Sequence, residues 1–249
     1  MSVRWSDSAC LLRVTLLNED DAMVDMISHH HGRVRAVARR AMTPALRAIY
    51  QQTNLLTVHV QARDEQALGH MDAEIITPYC ALLAGERWRW YAAQAASAVL
   101  LKALGEGDAA SEMYTLLVHY YDALAHRTQN AQQAVMLHTL MEFHLLGFMG
   151  YGLDLSCCAV TGSVDDLAYI SPKTGRVVTR EVAEPYREKL FPLPLYYRDA
   201  SYSPTAREVY DALIMNSYFL RTRLFEAHHG MLPEARIRLE ESAHGWLMP

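Results

Sequence analysis

The chain has few of the features that mark membrane, secreted or disulfide-stapled proteins. It contains no stretch of about eighteen apolar residues without a charge, which is the length that a bilayer-spanning helix needs. Arg4, Asp7 and Arg13 interrupt the N-terminal segment, so it does not have the apolar core of a signal peptide. The four cysteines show no framework spacing, and two of them, Cys157 and Cys158, are adjacent. These absences predict a soluble cytoplasmic protein with reduced thiols.

Sequence signatures of nucleotide hydrolysis and acyl transfer are also missing. There is no G-x-x-x-x-G-K-[ST] loop to cradle phosphates and no G-x-S-x-G elbow to present a serine nucleophile. Apolar residues make up 51% and charged residues 20% of the 249 positions, which is typical of a globular protein. The sequence therefore favours a binding protein over an enzyme, and it gives no reason to expect a cofactor.

Acidic residues are absent from one long window, between Asp25 and Asp64. The arginines inside this window give it a charge of +6, whereas the rest of the chain carries −11 within a net charge of −5. Scattered surface charge usually mixes both signs, and this segment does not. Such an asymmetry indicates a polyanionic partner, for which nucleic acid is the first candidate.

The spacing of the basic residues adds a geometric prediction. Successive side chains of a strand point to opposite faces, so Arg33, Arg35 and Arg39 are expected on one face. The other face carries Val34, Ala36 and Ala38. We predict a phosphate-contacting surface of Arg33, Arg35 and Arg39, with Arg40 and Arg47 at its rim. A solvated edge strand, whose arginines serve only solubility, is the alternative.

Strand patterns fill the first 77 residues, and they predict an OB-fold β-barrel over residues 1–78. The expected strands are 10–16, 22–27, the basic strand from Gly32, 56–61 and 68–76, with a short helical or irregular piece near 45–51. The second and third should pair as a hairpin across His29 to Gly32. His29 and His31 have the i, i+2 spacing of a chelating pair, but we expect the three histidines to extend the cationic face instead.

Helical periodicity replaces the strand pattern from Pro78 onward. The sequence predicts an α-helical domain over residues 79–249, with an irregular insert at about 150–199 that is rich in Gly, Pro and Ser. The fold class is therefore α+β. His138 and Glu142, four residues apart on a predicted helix, allow a metal-dependent hydrolase if a histidine of the C-terminal helix completes the site. We favour a Glu142 that is hydrogen-bonded for structural reasons.

Three stretches of the chain resemble the RecO family of bacterial DNA repair and recombination proteins. They are Gly32-Arg-Val-Arg-Ala-Val-Ala-Arg39, Glu142-Phe-His-Leu-Leu-Gly-Phe-Met-Gly-Tyr-Gly-Leu-Asp-Leu-Ser-Cys-Cys158 and Leu167-Ala-Tyr-Ile-Ser-Pro-Lys-Thr-Gly-Arg176. The second is the most specific, because a helix that runs into Tyr-Gly-Leu-Asp-Leu before a cysteine is an unusual string. The resemblance extends over nearly the whole chain.

The resemblance implies a recombination mediator of the RecF pathway, acting in the DNA damage response without enzymatic turnover. Such a protein binds single- and double-stranded DNA and anneals complementary strands. With RecR it helps to load RecA onto DNA coated by single-strand-binding protein, whose acidic C-terminal tail it contacts. A cytoplasmic, nucleoid-associated location follows. For the tail we predict a groove beside Leu117, Tyr120 and Tyr121, with Arg127 as its edge cation. A protein-docking adaptor without DNA binding remains an alternative.

The insert departs from the family pattern at its metal site. Many members carry paired cysteines that hold zinc, but here Thr161 and Thr179 stand where further cysteines are expected. Structural zinc needs four ligands, usually from C-x₂₋₄-C pairs, and the adjacent Cys157 and Cys158 do not provide them. We therefore predict a degenerate, zinc-finger-like insert that folds without metal.

Overall fold

The computed structural model of the chain describes residues 2–64, 67–226 and 229–248. By its internal contacts the chain divides into two compact units. The first comprises Met1–Thr128 with Pro233–Arg236, and the second comprises Gln129–Leu232 with Ile237–Pro249. None of the described helices combines the length and the apolar character needed to cross a membrane.

Four antiparallel pairings and one parallel pairing close the strands of the first unit into a barrel. The strands are β1 (Val3–Leu16), β2 (Ala22–Ser28), β3 (Gly32–Ala38), β4 (Leu55–Ala62) and β5 (Gly69–Thr77). Their order around the barrel is β1-β2-β3-β5-β4, with β1 also pairing β4. This arrangement fits the predicted OB-type barrel. The hairpin between β2 and β3 is also confirmed, with Ser28 opposite Gly32 and Asp25 opposite Arg35.

Alternation along the strands builds the barrel core. Ala36 and Ala38 of β3 pack with Val24 and Met26 of β2, while the arginines of β3 face the other way. Strand β1 is longer than predicted, since it starts at Val3 rather than at Cys10. The sequence hid this extension because Arg4, Ser6 and Ser8 alternate with residues that include an acid, Asp7, so that hydropathy alone shows no half-buried strand there.

Three helices complete the first unit: α1 (Tyr79–Leu83), α2 (Arg87–Ala103) and α3 (Ser111–His126). Helices α2 and α3 pack against β1. The loop between them crosses the start of β3, where the Gly107 amide donates to the Arg33 carbonyl over 2.8 Å. Gly32 has a φ of +65°, as a tight turn requires, and a Cβ there would lie 1.7 Å from the Asp108 carbonyl oxygen. Only glycine fits this position.

The second unit contains α4 (Ala131–Phe148), α6 (Ala206–Phe219) and most of α7 (Glu234–Leu247). Asn130 caps α4 by accepting the Gln133 amide, and Thr205 forms a capping box with Glu208 at the start of α6. The insert is more regular than predicted. It holds a three-stranded sheet of β6 (Leu167–Ile170), β7 (Val177–Thr179) and β8 (Phe191–Pro192), in the order β7-β6-β8. Helix α5 (Arg180–Ala183) and one 3₁₀ turn lie between β7 and β8 along the chain, and a second 3₁₀ turn follows β8.

The expected domain boundary and the compact units follow different criteria. The prediction of domains 1–78 and 79–249 places the division where strands give way to helices, between β5 and α1. The contacts of the structure place α1 to α3 with the barrel and divide the chain after Thr128. The helices after residue 78 are thus divided between the two compact units. The domain division at 78/79 stays a prediction.

Candidate nucleic-acid interface

The outward face of β3 carries the predicted arginines, but two of them are engaged by a carboxylate. Asp25, on the neighbouring strand β2, lies directly opposite Arg35 of β3 and Arg13 of β1. Its side chain is only 1% exposed. The sequence window without acids therefore begins at an acid whose carboxylate lies against the basic strand.

Asp25 accepts charge-assisted hydrogen bonds from three guanidinium groups. Its Oδ2 lies 2.8 Å from Arg13 Nη2, while its Oδ1 lies 3.2 Å from Arg33 Nη2 and 3.1 Å from Arg35 Nε. Burial tends to raise the pKa of this carboxyl, but the hydrogen bonds and charges of the arginines outweigh it and lower the pKa below the ordinary value. We call these four residues the Asp25 cluster.

Arg33 and Arg35 are not equally available to a ligand. The Arg33 side chain is 14% exposed, and its Nη1 donates to the Leu104 carbonyl over 2.7 Å. Its Nε is buried, with no hydrogen-bond partner among the described residues. The Arg35 side chain is 35% exposed and donates to Asp25 through Nε. Arg33 therefore has a structural role at the centre of the cluster, whereas Arg35 keeps part of its guanidinium in contact with solvent.

The other predicted arginines are exposed. Arg39 follows β3 directly, and its Nη2 lies 3.2 Å from His70 Nε2 of β5. Arg40 has a φ of +56°, and its amide donates to Asp21, which leaves its side chain directed to solvent at the turn. Arg47 lies in the hydrogen-bonded turns between β3 and β4. These three cations are free of the carboxylate that holds Arg33 and Arg35.

A cleft of about 810 Å³ lies on the barrel beside Arg39. It is formed by the N-terminal half of β1 together with β4 and β5, and its basic members besides Arg39 are Arg4 and Arg63. Among the described residues, two histidines, His59 and His70, and a single acid, Asp72, also line it. The described lining therefore combines three permanent positive charges with one negative charge, which favours an anionic ligand.

An aromatic platform stands at the edge of this cleft. The Trp5 ring stacks on the His31 ring, with centroids 4.0 Å apart and an interplanar angle of 20°. Trp5 is half-buried against the barrel core and lines both this cleft and a second one, of about 560 Å³, that contains His31, Arg33 and Arg35. Stacking of bases on aromatic rings beside cations is how OB folds hold single strands. We call the residues Arg4, Trp5, Arg39 and Arg63 the cleft set.

Sequence reasoning found only Arg39 of the cleft set. Arg4 and Trp5 lie in the part of β1 that the hydropathy pattern did not reveal, and Arg63 stands at the end of β4, beside Asp64 at 3.1 Å. A signal was present nevertheless. An arginine and a tryptophan stand side by side at the start of a strand that pairs with β4, where Arg4 lies opposite Gln61 and Trp5 opposite Val60.

A turn between β2 and β3 holds the three consecutive histidines against β1. Asp7 of β1 accepts the His30 amide over 2.7 Å and the His30 Nδ1 over 2.9 Å, and it also accepts the Ser28 hydroxyl. Although burial acts to raise the pKa of Asp7, these hydrogen bonds and the one from the Ser8 amide lower it to about 2. These bonds anchor the turn to β1 through His30, although its ring stays largely exposed to solvent.

The predicted docking groove is wrong in the three residues that were to form its apolar wall, Leu117, Tyr120 and Tyr121. Leu117 and Tyr121 are fully buried and Tyr120 is 4% exposed, so these side chains belong to the core of the first unit. The Tyr121 hydroxyl lies 2.6 Å from Ser97 Oγ, and burial raises its pKa well above the ordinary value. The amphipathic stripe of α3 faces inward because it packs on α2 and β1. Arg127, the C-cap of α3, is exposed as expected.

His138 and Glu142 form a buried polar pair within the second unit. Both side chains are 0% exposed, with His138 Nε2 3.0 Å from Glu142 Oε1, and the Asn216 amide donates to Glu142 Oε2 over 3.3 Å. Asn216 also donates to the Thr139 carbonyl and accepts from the Tyr197 hydroxyl. This network links α4 to α6 and offers a substrate no access. It supports the structural interpretation of Glu142 and removes the geometric basis of the hydrolase alternative.

In the insert, several hydrogen-bond donors lie around the thiol of Cys158. Cys158 is buried, and its Sγ accepts the Thr179 amide over 3.4 Å, with the Thr179 hydroxyl 3.9 Å away. Burial tends to raise the pKa of this thiol, but hydrogen bonds from Thr161, Val160 and Thr179 lower it to about 6. Thr161 and Thr179, which stand where further cysteines were expected, thus lie beside the Cys158 sulfur. That the insert folds without zinc stays a prediction.

Known proteins resemble this chain over almost its entire length. The sequence model described as "Recombination protein O N terminal" matches residues 1–79, and the one described as "Recombination protein O C terminal" matches residues 86–229. A protein of Rhodospirillum rubrum named "DNA repair protein RecO" is 32% identical over 246 residues, which are 98% of both chains. Proteins of the same name from Gluconacetobacter diazotrophicus and Caulobacter vibrioides are 32% and 31% identical, covering 95% and 96% of this chain and 94% of each relative.

Proposed function

We propose that this chain, which belongs to the RecO family of DNA repair proteins, acts as a recombination mediator through its barrel. In this proposal it binds single- and double-stranded DNA, anneals complementary strands and, with RecR, helps to load RecA onto DNA coated by single-strand-binding protein. It works by binding, without turnover of a substrate. The observation that carries the proposal is the cleft set, in which three arginines and a stacked tryptophan line one cleft of an OB-type barrel.

The cleft set divides the work of holding a single strand between charge and stacking. Arg4 and Arg39 contact phosphates, because both side chains are exposed and both line the cleft. Arg63 contributes less, since Asp64 lies 3.1 Å from it. Trp5 presents its ring to a base, with His31 supporting the opposite face. This combination binds any sequence, because every base has a π-face and every nucleotide a phosphate.

The originally predicted arginines take graded roles in the proposal. Arg40 and Arg47 extend the cationic surface beyond the cleft, where they meet the backbone of a longer strand. Arg35 uses its remaining N–H donors on a phosphate while its Nε stays with Asp25. Arg33 holds the Asp25 cluster together and reaches DNA least. Affinity should therefore depend on Arg39 more than on Arg33, although both lie on the same face of the strand.

Annealing follows from the same surface if two complementary strands are held with their backbones neutralised. Neutralisation of the phosphates by the arginines lowers the repulsion between the strands, and stacking on a single aromatic ring leaves most bases free to pair. Duplex DNA binds to the outer arginines through its phosphates only. The proposal therefore expects tighter binding of single strands than of duplexes at equal salt.

The protein partners are proposed from the family alone, with one structural guide. The acidic tail of single-strand-binding protein needs an apolar groove with a cation at its edge. Arg127 is exposed at the end of α3 and suits that edge, but the groove is not formed by Leu117, Tyr120 and Tyr121. An Arg127→Glu variant should weaken binding of a labelled tail peptide and leave binding of naked DNA intact. Unchanged peptide affinity would exclude Arg127.

A protein-docking adaptor without DNA binding is the second candidate, and the Asp25 cluster favours it. The carboxylate neutralises part of the basic strand that suggested a polyanion partner. Titration of a labelled oligonucleotide at several salt concentrations separates the two candidates. A DNA-binding protein shows a linear fall of log affinity with log salt, with a slope of about −0.7 for each phosphate contacted. Absence of binding at low salt would leave the adaptor.

A further inference from the structure

The turn between β2 and β3 brings three potential metal ligands to one place on the barrel. One ligand atom each of Asp7, His29 and His30 lies within 4.8 Å of the other two. In the part of the chain that the structure describes, no other three His, Cys, Asp or Glu side chains bring their ligand atoms this close together. Asp7 comes from β1, whereas both histidines come from the turn, so the set joins two segments far apart in sequence.

The three ligand atoms are close enough to meet at one small ion after small shifts. Asp7 Oδ1 and His30 Nδ1 are 2.9 Å apart, and the His29 and His30 ring centroids are separated by 4.2 Å. Ligands of a tetrahedral ion with bonds of about 2.1 Å lie somewhat over 3 Å apart. A metal ion can therefore replace the proton between Asp7 and His30 if the pair opens by a few tenths of an ångström. The His29 ligand atom lies within 4.8 Å of the other two, so it also has to move closer to such an ion.

Neighbouring groups orient the ligands as the surroundings of metal sites do. Asp7 accepts the His30 amide and the Ser28 hydroxyl, so its carboxylate is fixed in direction. Its side chain is 5% exposed, and that of His30 is 71% exposed. His29 packs against Tyr114, whose hydroxyl donates to Ser8 Oγ over 2.8 Å. The carboxylate is thus buried and held, while one imidazole faces the solvent from which an ion would enter.

We propose that Asp7, His29 and His30 form a binding site for one divalent transition-metal ion, with water completing its coordination. Two imidazoles and one carboxylate suit zinc, cobalt or nickel, and they do not suit magnesium or calcium, which prefer oxygen ligands only. The site is separate from the thiols of the insert. A bound ion would fasten the turn to β1 beside the stacked pair of Trp5 and His31. This inference does not depend on the proposed DNA-binding role.

The test is titration of metal into chelator-treated full-length protein. Zinc should bind at one equivalent by calorimetry, and cobalt should give visible d–d bands without the intense near-ultraviolet sulfur-to-metal band of a thiolate site. His29→Gln and His30→Gln should each lower the affinity by about tenfold or more. Both positions are at least partly exposed, so these variants are expected to fold. Asp7→Asn tests the third ligand, with circular dichroism to verify its fold.

His119→Gln is the matched control, because His119 is an exposed histidine on α3 outside the cluster. It should bind zinc with the affinity of the wild type. Three results would overturn the proposal: no binding of zinc or cobalt, binding that survives both histidine variants, or a cobalt spectrum with a thiolate band, which would assign the ion to Cys157 or Cys158. Each of these is independent of whether the protein binds DNA.

Discussion

The barrel carries two groups of arginines, and they differ in what surrounds each guanidinium. Arg33 and Arg35 lie on β3 against the nearly buried Asp25, which binds them together with Arg13. Arg4 and Arg39 line the cleft together with Trp5, where the described residues include a single acid, Asp72, among several bases. An arginine that satisfies a buried carboxylate stabilises the fold, and one that faces a cleft without such a partner is available for a ligand. Residue type and strand face do not distinguish the two.

The largest expected effect is on stability, at the Asp25 cluster. Asp25→Asn removes the negative charge that three arginines share, so their partly buried charges lose compensation. We expect a loss of roughly 3 kcal/mol in the free energy of unfolding. Urea denaturation monitored by tryptophan fluorescence measures it. DNA affinity should not fall in proportion, because Arg33 and Arg35 gain freedom.

Asp20→Asn is the control for this change, because Asp20 is exposed in the loop between β1 and β2. It removes the same charge and should alter the free energy of unfolding by less than about 0.5 kcal/mol. Equal stability of the two variants would show that the Asp25 cluster does not support the fold.

The next effect is on single-strand binding, at the cleft. Trp5→Leu keeps an apolar side chain against the barrel core but removes the stacking face. The variant should lose about 1–3 kcal/mol of affinity for single-stranded DNA. Duplex affinity should change less, because bases within a duplex stack on one another. Fluorescence anisotropy with labelled oligonucleotides gives both values.

Trp88→Leu provides the comparison, since Trp88 is half-buried on α2 and does not line the cleft. It should leave the affinity for both forms of DNA unaltered. If Trp5→Leu weakens single-strand and duplex binding equally, the stacking role is wrong and Trp5 acts only through packing.

A smaller effect is expected from pH in metal-free buffer. The pKa of Asp7 is lowered to about 2 in the folded protein, so its ionised form stabilises the fold above the ordinary carboxyl pKa. This contribution is lost as the pH falls from about 4 toward 2. Wild type should therefore lose more stability than Asp7→Asn between pH 5 and pH 3 in urea titrations. Parallel losses in the two proteins would exclude Asp7 as a source of acid sensitivity.

The smallest expected effects belong to the rim. Arg40→Ala and Arg47→Ala should each reduce the salt slope of DNA binding by at most about 0.7, and only with oligonucleotides long enough to leave the cleft. Stability should stay the same, because both side chains are exposed and outside the Asp25 cluster. Anisotropy titrations with a short and a long oligonucleotide test this. A loss of affinity for the short oligonucleotide would move these residues into the main site.

The number of strands, the hairpin at Gly32 and the alternation of β3 were predictable from the sequence. Period-two hydropathy and a glycine at a tight turn are local signals. The role of Asp25 was not predictable, because cross-strand register decides which arginines it meets, and register depends on pairing between β1, β2 and β3. Counting acids along the chain placed Asp25 outside the basic window, whereas pairing placed it at the centre of the basic face.

The helical part shows the same limit. The stripe of Leu117, Tyr120 and Tyr121 was recognised as an apolar face, but hydropathy does not reveal whether such a face covers a core or receives a peptide. Its burial against the barrel and α2 decides for the core. For His138 and Glu142 the i, i+4 spacing predicted contact, and the apolar sequence around them predicted a structural role. For this pair the local sequence was sufficient to predict a structural role.

The most direct test of the difference between the two groups of arginines is the salt dependence of single-strand binding by two double variants. Arg4→Gln/Arg39→Gln removes two cleft cations, and Arg33→Gln/Arg35→Gln removes two cations of the Asp25 cluster, with circular dichroism to check the fold of each. The account predicts that the slope of log affinity against log salt falls by about 1.4 for the cleft variant and by no more than about 0.7 for the cluster variant. The reverse order, with the larger fall in the cluster variant, would contradict it.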